Sequence, residues 1–580
     1  MFLPITKAEA DKRGWDYVDV IIVSGDAYID HPAFGTAVIA RTLEAEGYRV
    51  AIIPQPNWRD DLRDFKKFGK PRLFFGVTSG SMDSMVNHYT AAKRLRSDDA
   101  YTPGNQAGFR PDYATSRYGK ILKELYPQTP VVIGGIEASM RRLAHYDYWS
   151  DKLFPSILID SKADLLVYGM GEKVIVEIAK CLDNGTPTDE IRNLPQTAYI
   201  SNCNSQTNNN IKYLPSFAQC LKDKKTQAKS VGIIEQTANK HEGEILIQNY
   251  GEKDVVVNPA DNNFTSSDLD RSFDLPYMRE PHPKYAKRGS IPAFEMIKHS
   301  VNIHRGCFGG CSFCTISAHQ GKRIISRSET SILKEIESVS KRSDFKGYLT
   351  DLGGPSANMY KMGGKNEDLC RKCNKPSCIF PVVCGNLNND HEPLLKLYEK
   401  VRSLPYIKKV FIGSGIRYDI FTDYKYFDTV FQHHVSGRLK VAPEHSVPAV
   451  LNAMRKPSFD KFVALKQRFD TLNRRYGMKQ QLIPYFISSH PCCTLKDMAQ
   501  LAKETARLGY HLEQVQDFTP TPLTISSEMY YTGYDPLTLK PVSYCAKTKE
   551  DKQEQNRIFF WYKKENRRWA ERIFNKKEKY

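Results

Sequence analysis

Continuous apolar runs at residues 18–24, 49–53, 73–78, 131–133 and 164–168 alternate with stretches, such as 33–47, whose apolar positions recur every three to four residues. Runs without a polar face predict strands covered on both sides, and the periodic stretches predict helices. Glycines at 47, 80, 134, 135, 169 and 171 punctuate the elements. The pattern predicts an α/β fold: a doubly wound parallel sheet, which binds ligands outside the carboxyl ends of its strands. It occupies residues 1–185. Residues 186–290 break the rhythm. Within them the Asn-rich stretch 201–210 reads as a turn or loop and 244–257 as a small hairpin turning near Gly251, so the segment is expected to be a connector.

A second alternation starts near residue 291. Strands are predicted at 297–304, 347–351, 409–413, 439–443, 482–488 and 512–518, with helices between them. In one helix, 329–342, Ile332, Ile336 and Val339 share a face; another spans 495–508. Six successive βα units predict a partial (βα)6 barrel of TIM type over residues 291–535, with its chemistry at the carboxyl ends of the strands. Residues 353–391 form a Cys-rich insert in that barrel, and 536–580 are a C-terminal tail.

The 580-residue chain is 41% hydrophobic and 26% charged, as an ordinary globular protein is. No run approaches the length of a membrane span, and the first residues lack the pattern of a signal peptide, so a cytoplasmic location is expected. Reducing conditions there make metal ligation, not disulfides, the first reading of thirteen cysteines. Lys and Arg exceed Asp and Glu by 84 − 66 = 18, which favours polyanionic partners, RNA above all. Part of the surplus is local. Residues 547–580 hold 12 basic and 6 acidic side chains interleaved with Phe559, Phe560, Trp561, Tyr562 and Trp569. The tail reads as an amphipathic element packing its aromatic face on the body, as an RNA contact or as a membrane-surface element.

Directly after the first strand of the second alternation stands Cys307-Phe-Gly-Gly-Cys311-Ser-Phe-Cys314. The spacing on a glycine-bearing loop lets three thiolates converge, whereas a structural zinc or an electron-transfer [4Fe–4S] centre takes four protein ligands. An open coordination position is implied. This C-x3-C-x2-C loop resembles that of the radical S-adenosylmethionine (SAM) superfamily. The resemblance implies that Cys307, Cys311 and Cys314 bind a [4Fe–4S] cluster whose fourth iron chelates SAM. One electron, from a donor such as flavodoxin or ferredoxin, would then release a 5′-deoxyadenosyl radical. The segments 26–41 (DAYIDHPAFGTAVIAR), 351–360 (DLGGPSANMY), 414–419 (SGIRYD), 442–445 (APEH) and 517–534 extend the resemblance to the YgiQ-type radical SAM proteins. By that likeness Gly353 and Gly354 meet the SAM amino group, although Pro355 stands where the common motif has glutamate. Glu444 is expected at the SAM pocket, and Gly413, Gly415, Arg417, His445 and His490 sit at neighbouring strand ends. No catalytic residue for the substrate is assigned; modification of RNA or protein, by methylation or methylthiolation, fits the charge and the likeness of residues 517–522 to methylthiotransferases.

The N-terminal domain is similar to the cobalamin-binding domains that precede many such barrels. It lacks the D-x-H-x-x-G motif, because Asp30 and His31 are adjacent and Gly35 is misplaced, so His31 is a poor cobalt ligand and the domain is expected to shape substrate access. Cys370, Cys373, Cys378 and Cys384 lie within fifteen residues of the insert. Four thiolates suit tetrahedral zinc or an auxiliary [4Fe–4S] cluster, and spacing does not decide between them. Cys492 and Cys493, being adjacent, are expected to line core or pocket, and Cys181, Cys203, Cys220 and Cys545 to be plain thiols. The rival reading is a nucleic-acid-binding iron–sulfur or zinc protein without turnover, with the insert and tail as its binding elements.

Overall fold

The structure is a computed structural model that describes residues 1–202, 210–512 and 515–574. The Asn-rich stretch predicted as a loop falls, with Cys203, outside the described residues except at its ends. Among those described, the largest element is a nine-stranded sheet in the order 211–213, 245–249, 253–257, 197–202, 165–167, 131–133, 74–78, 20–24, 50–54. Val20–Ser24, Val50–Pro54, Phe74–Thr78, Val131–Ile133 and Leu165–Val167 form its parallel part. Side chains alternate across a strand, so the apolar runs supply two cores at once. Val20 and Ile22 pack with the helices Gly35–Ala45 and Glu172–Asp183, whereas Ile21 and Val23 pack with Ala114–Leu125.

The boundary expected at residue 185 lies inside this sheet. Thr197–Asn202 pairs antiparallel with Leu165–Val167, and the hairpin of Ile245–Asn249 and Lys253–Val257 adds beyond it. Residues 186–290 are therefore the outer part of one sheet and not a connector. Their strands cover a hydrogen-bonding edge that Leu165–Val167 would otherwise leave open.

The strand order reverses between Val20–Ser24 and Phe74–Thr78, where sheets of this kind bind ligands. Here the chain fills the crevice itself. Arg110, fully buried, lies 2.9 Å from Asp26 and 3.0 Å from Asp99 and donates to the Ser79 carbonyl at 2.8 Å. A Cβ at Gly25 would stand 2.2 Å from the Ser79 carbonyl oxygen, and one at Gly80 2.1 Å from Asp26 Oδ1. His31 is also engaged: Nδ1 accepts from the Ala33 amide at 3.1 Å, and Nε2 lies 3.4 Å from Arg279 Nη1. His31 is thus engaged within the fold and is not a free ligand.

In the C-terminal half, Ser300–Asn302 pairs with Asp351–Gly353, Tyr348–Leu349 with Lys409–Val410, and Arg438–Glu444 with Gln481–Ser488, all parallel. Gln516–Asp517 continues beside Gln481–Ser488. Ile297, expected in the first strand, ends the helix Pro292–Ile297 instead. Ile332, Ile336 and Val339 of Glu329–Ser340 are fully buried against these strands.

The tail forms two helices, Lys549–Phe559 and Lys564–Phe574. Phe559, Phe560, Trp561 and Trp569 share an apolar cluster with Phe486 and Leu501, and Tyr562 Oη donates to the Leu512 carbonyl at 2.5 Å. Of the three roles expected for the tail, packing on the body is seen: Phe559 is buried and the other four rings are half-buried. No helix among the described residues is long and apolar enough to cross a membrane.

Replacing Arg110 by Met should leave Asp26 and Asp99 buried without their cation and cost about 3–5 kcal/mol. Denaturant unfolding followed by intrinsic fluorescence measures this; a loss below about 1 kcal/mol would show that the ion cluster does not hold the crevice closed.

Candidate functional site

The strand Ser300–Asn302 delivers the chain, through His304 and Arg305, to the loop of the three cysteines. Backbone contact shapes that loop. Gly306 has φ +86°, and a Cβ there would lie 1.9 Å from the Arg323 carbonyl oxygen. Gly310 has φ +60°, and its Cβ would lie 2.2 Å from the Pro376 carbonyl oxygen. Both positions demand glycine. The Cys307 amide donates to the Gly321 carbonyl at 3.1 Å, Ser317 Oγ to the Cys307 carbonyl at 2.8 Å, and the Cys314 amide to the Cys311 carbonyl at 3.1 Å. Cys314 then leads into the short helix Thr315–Gln320.

Around the thiols stand residues from three later strand ends. Arg417 donates from Nη1 to Cys311 Sγ at 3.3 Å, while Nε and Nη2 grip Asp419 at 2.9 and 2.6 Å. Asn358 pins its backbone through bonds of 2.8 and 2.9 Å. Burial acts to raise the Asp419 pKa, and the paired Arg417 more than offsets it, so the carboxylate stays charged and holds the guanidinium in place. Ser356 Oγ lies 3.7 Å from Cys307 Sγ. Burial raises the pKa of Cys307, against the lowering effect of Arg417; burial, followed by the neighbouring Cys311, pushes Cys314 up to about 12. The three sulfurs thus share one electrostatic environment next to a fixed cation.

Gly353 and Gly354 line the same turn as Ser356. A Cβ at Gly353 would meet Ser414 Oγ at 2.8 Å, and one at Gly354 would meet His304 Cε1 at 2.4 Å. Neither ring nitrogen of His304 has a hydrogen-bond partner, although the side chain is fully buried. Burial drives its pKa down to about 3, so the ring is neutral. Asp351 accepts from the amides of Gly413 and Ser414 at 2.8 and 3.2 Å and so ties the second strand end to the third. Glu444 closes Arg438–Glu444 with φ +66°, a strained conformation for a residue with a side chain, and lies 3.6 Å from Lys456 Nζ. Burial raises its pKa against the pull of Lys456 and Arg417.

The other expected residues lie outside this group. His490 is bonded to Ser526 Oγ at 2.7 Å, and His445 Nε2 lies 3.5 Å from Cys493 Sγ. Cys370, Cys373, Cys378 and Cys384 line a separate cavity of about 530 Å³, together with Phe308, Ser317 and Ala318. The insert is docked on the triad loop: the Cys378 amide donates to the Phe308 carbonyl at 3.1 Å and Ser377 Oγ to the Gly309 carbonyl at 2.8 Å. Among the described residues no three His, Cys, Asp or Glu side chains are gathered as one metal ion needs. Tetrahedral zinc asks for sulfurs about 3.8 Å apart, whereas a cubane cluster takes one thiolate per iron and spreads them further. The donor set of the triad fits such a cluster. Sequence reading missed Ser356, Asp419 and His304, whose only signal was their place at strand ends.

A three-thiol loop bordered by a double-glycine turn defines a radical SAM protein, and comparison agrees: residues 2–300 match the family model described as Radical SAM N-terminal, and 513–568 match a domain of unknown function (DUF3362). UPF0313 proteins of Porphyromonas gingivalis and Bacteroides thetaiotaomicron are 57% and 56% identical, covering 97% and 98% of this chain and 91% and 95% of theirs. One from Methanocella arvoryzae is 46% identical over 97% of this chain and 93% of its own. The chain belongs to the UPF0313 family of radical SAM proteins. Among solved structures, the radical S-adenosylmethionine methyltransferase TsrM from Kitasatospora setae, with cobalamin and [4Fe–4S] cluster bound, has a TM-score of 0.49 at 16% identity, over 88% of this chain and 77% of that one.

Gly310→Ala should push Pro376 away and undock the insert. Amide exchange of Cys378, read by mass spectrometry, is expected to speed up about tenfold or more; unchanged protection would show that the docking does not depend on this contact.

Proposed function

We propose that this chain is an enzyme that cleaves SAM reductively, with Cys307, Cys311 and Cys314 as the ligands of its [4Fe–4S] cluster and the parallel strand pairs of its C-terminal half as a partial (βα)6 barrel around them. The observation that carries the reading is a loop offering three thiols, one short of a closed set, with Arg417 on Cys311 and Ser356 on Cys307. When bound, the cluster supplies the one-electron cleavage of SAM to a 5′-deoxyadenosyl radical. Arg417, held by Asp419, keeps a positive charge beside the thiolates and favours their ionised form. Gly353 and Gly354, packed against Ser414 and His304, form the turn that would meet the SAM amino group, and Glu444, leashed to Lys456, closes a later strand end. The electron donor would be flavodoxin or ferredoxin.

The insert forms a second proposed metal site. Cys370 Sγ accepts from Asn386 Nδ2 at 3.3 Å, as a thiolate ligand does from its supporting shell. Four thiols there suit an auxiliary [4Fe–4S] cluster or tetrahedral zinc, and the auxiliary cluster is the reading put to the test below. The binding reading without turnover leaned on the tail, whose rings pack inward.

After anaerobic reconstitution with iron, sulfide, SAM and dithionite, the wild type should yield 5′-deoxyadenosine. Cys307→Ala, Cys311→Ala and Cys314→Ala should each lower the yield to background while leaving the unfolding transition in place; undiminished product from any one of them would sink the assignment. In the triple variant, metal analysis should find about four irons held by the insert. One zinc and no iron would instead make the insert a structural zinc site.

A further inference from the structure

Arg141 and Arg142 are consecutive, both buried, and oppositely treated. Arg141 is ion-paired with Asp83. Arg142 has no carboxylate partner among the described residues: Nη1 donates to the Ser139 carbonyl at 2.6 Å, Nε has no partner, and the guanidinium lies 4.8 Å from the Tyr168 ring. Only 6% of the residue is exposed. An uncompensated buried charge costs several kcal/mol, so a protein that keeps one needs it for something. Burial lowers its pKa, and Tyr168 offsets this only in part.

Arg142 borders two adjoining cavities. One is the chamber of about 530 Å³; the other, about 50 Å³, is lined by Cys311 and Cys314. Ser317 and Ala318, three and four residues after Cys314, line both. The chamber is a ligand-sized space between the N-terminal sheet and the cysteine loop. Its walls carry six Lys or Arg and three Asp or Glu, and two of the acids, Glu244 and Asp261, are already paired with lysines. A second guanidinium there, Arg323, also lacks an acid: it donates to His241 and to the Asn262 carbonyl. Met170, Phe264 and Met362 supply apolar wall.

We propose that the part of this chamber not taken up by the metal of the four insert thiols, which also line it, is the substrate site and that Arg142 anchors an anionic group, a carboxylate or a phosphate, of a small molecule bound there. The assignment of the ligand as substrate rests on the triad being the SAM-cleaving centre; the anion site itself does not. A guanidinium with free donors is the side chain suited to either oxyanion, and helix Thr315–Gln320 places the bound molecule one short wall from the cysteines.

The test uses the full-length, cluster-reconstituted protein and arginine modification by phenylglyoxal, mapped by mass spectrometry. Inorganic phosphate or succinate at about 20 mM, in separate arms, should slow modification of Arg142 about tenfold in at least one of them, telling phosphate from carboxylate, while Arg417, held by Asp419, keeps its rate. Titration calorimetry with the effective anion should show affinity weakened about tenfold or more in Arg142→Gln and partly restored in Arg142→Lys. Arg142→Gln removes an unpaired charge and should fold; if it does not, the modification experiment on the native chain still decides. No protection by either anion overturns the proposal, as does protection by a single-stranded oligoribonucleotide alone. SAM cleavage without anion protection sinks the chamber and spares the enzymatic reading, whereas protection without SAM cleavage does the reverse.

Discussion

Close backbone contact at the cysteine loop governs the architecture around it. Because Gly306 and Gly310 have no side chains, the carbonyls of Arg323 and Pro376 press directly against the loop. One contact folds the chain after Cys314 back underneath; the other seats the insert on top. The loop that carries the three thiols is thus gripped by backbone from two other segments. Such a grip suits a site whose ligands come from one short stretch, which would otherwise lose much conformational entropy on loading.

Buried charge is used in three ways in one chain. At the crevice of the N-terminal sheet, Arg110 between two aspartates closes a space that homologous architecture would leave to a ligand. Beside the triad, Arg417 is neutralised on one side by Asp419 and left free on the other to face sulfur. At the chamber, Arg142 has no carboxylate partner among the described residues. The number of carboxylates around each guanidinium therefore falls from two at the crevice to one beside the triad and none at the chamber.

Much of this was legible in the sequence. Parallel strands such as Val50–Pro54 announce themselves because both faces are buried, and the loop of Cys307, Cys311 and Cys314 by its spacing directly after a strand. The outer strands were not legible as part of the first sheet: Ile211–Tyr213 is three half-exposed residues, and strand order depends on which edge is free, not on local pattern. Ser356 and Asp419 look like ordinary turn residues until the strand ends are brought together. Arg142 is harder still, since what marks it is the lack of a partner, a property of the assembled fold. The aromatic tail misled in the other direction, because basic residues between aromatic rings describe an amphipathic helix on a protein surface as well as a nucleic-acid contact.

The tail also fastens the molecule. Lys552 Nζ donates to Tyr148 Oη at 2.6 Å, joining residues 404 positions apart, and Gln555 bonds both the Ser489 amide and the Cys493 carbonyl. Tyr148 in the first half and Ser489 in the second thus answer to the same helix, and a cut before Lys549 would release both at once.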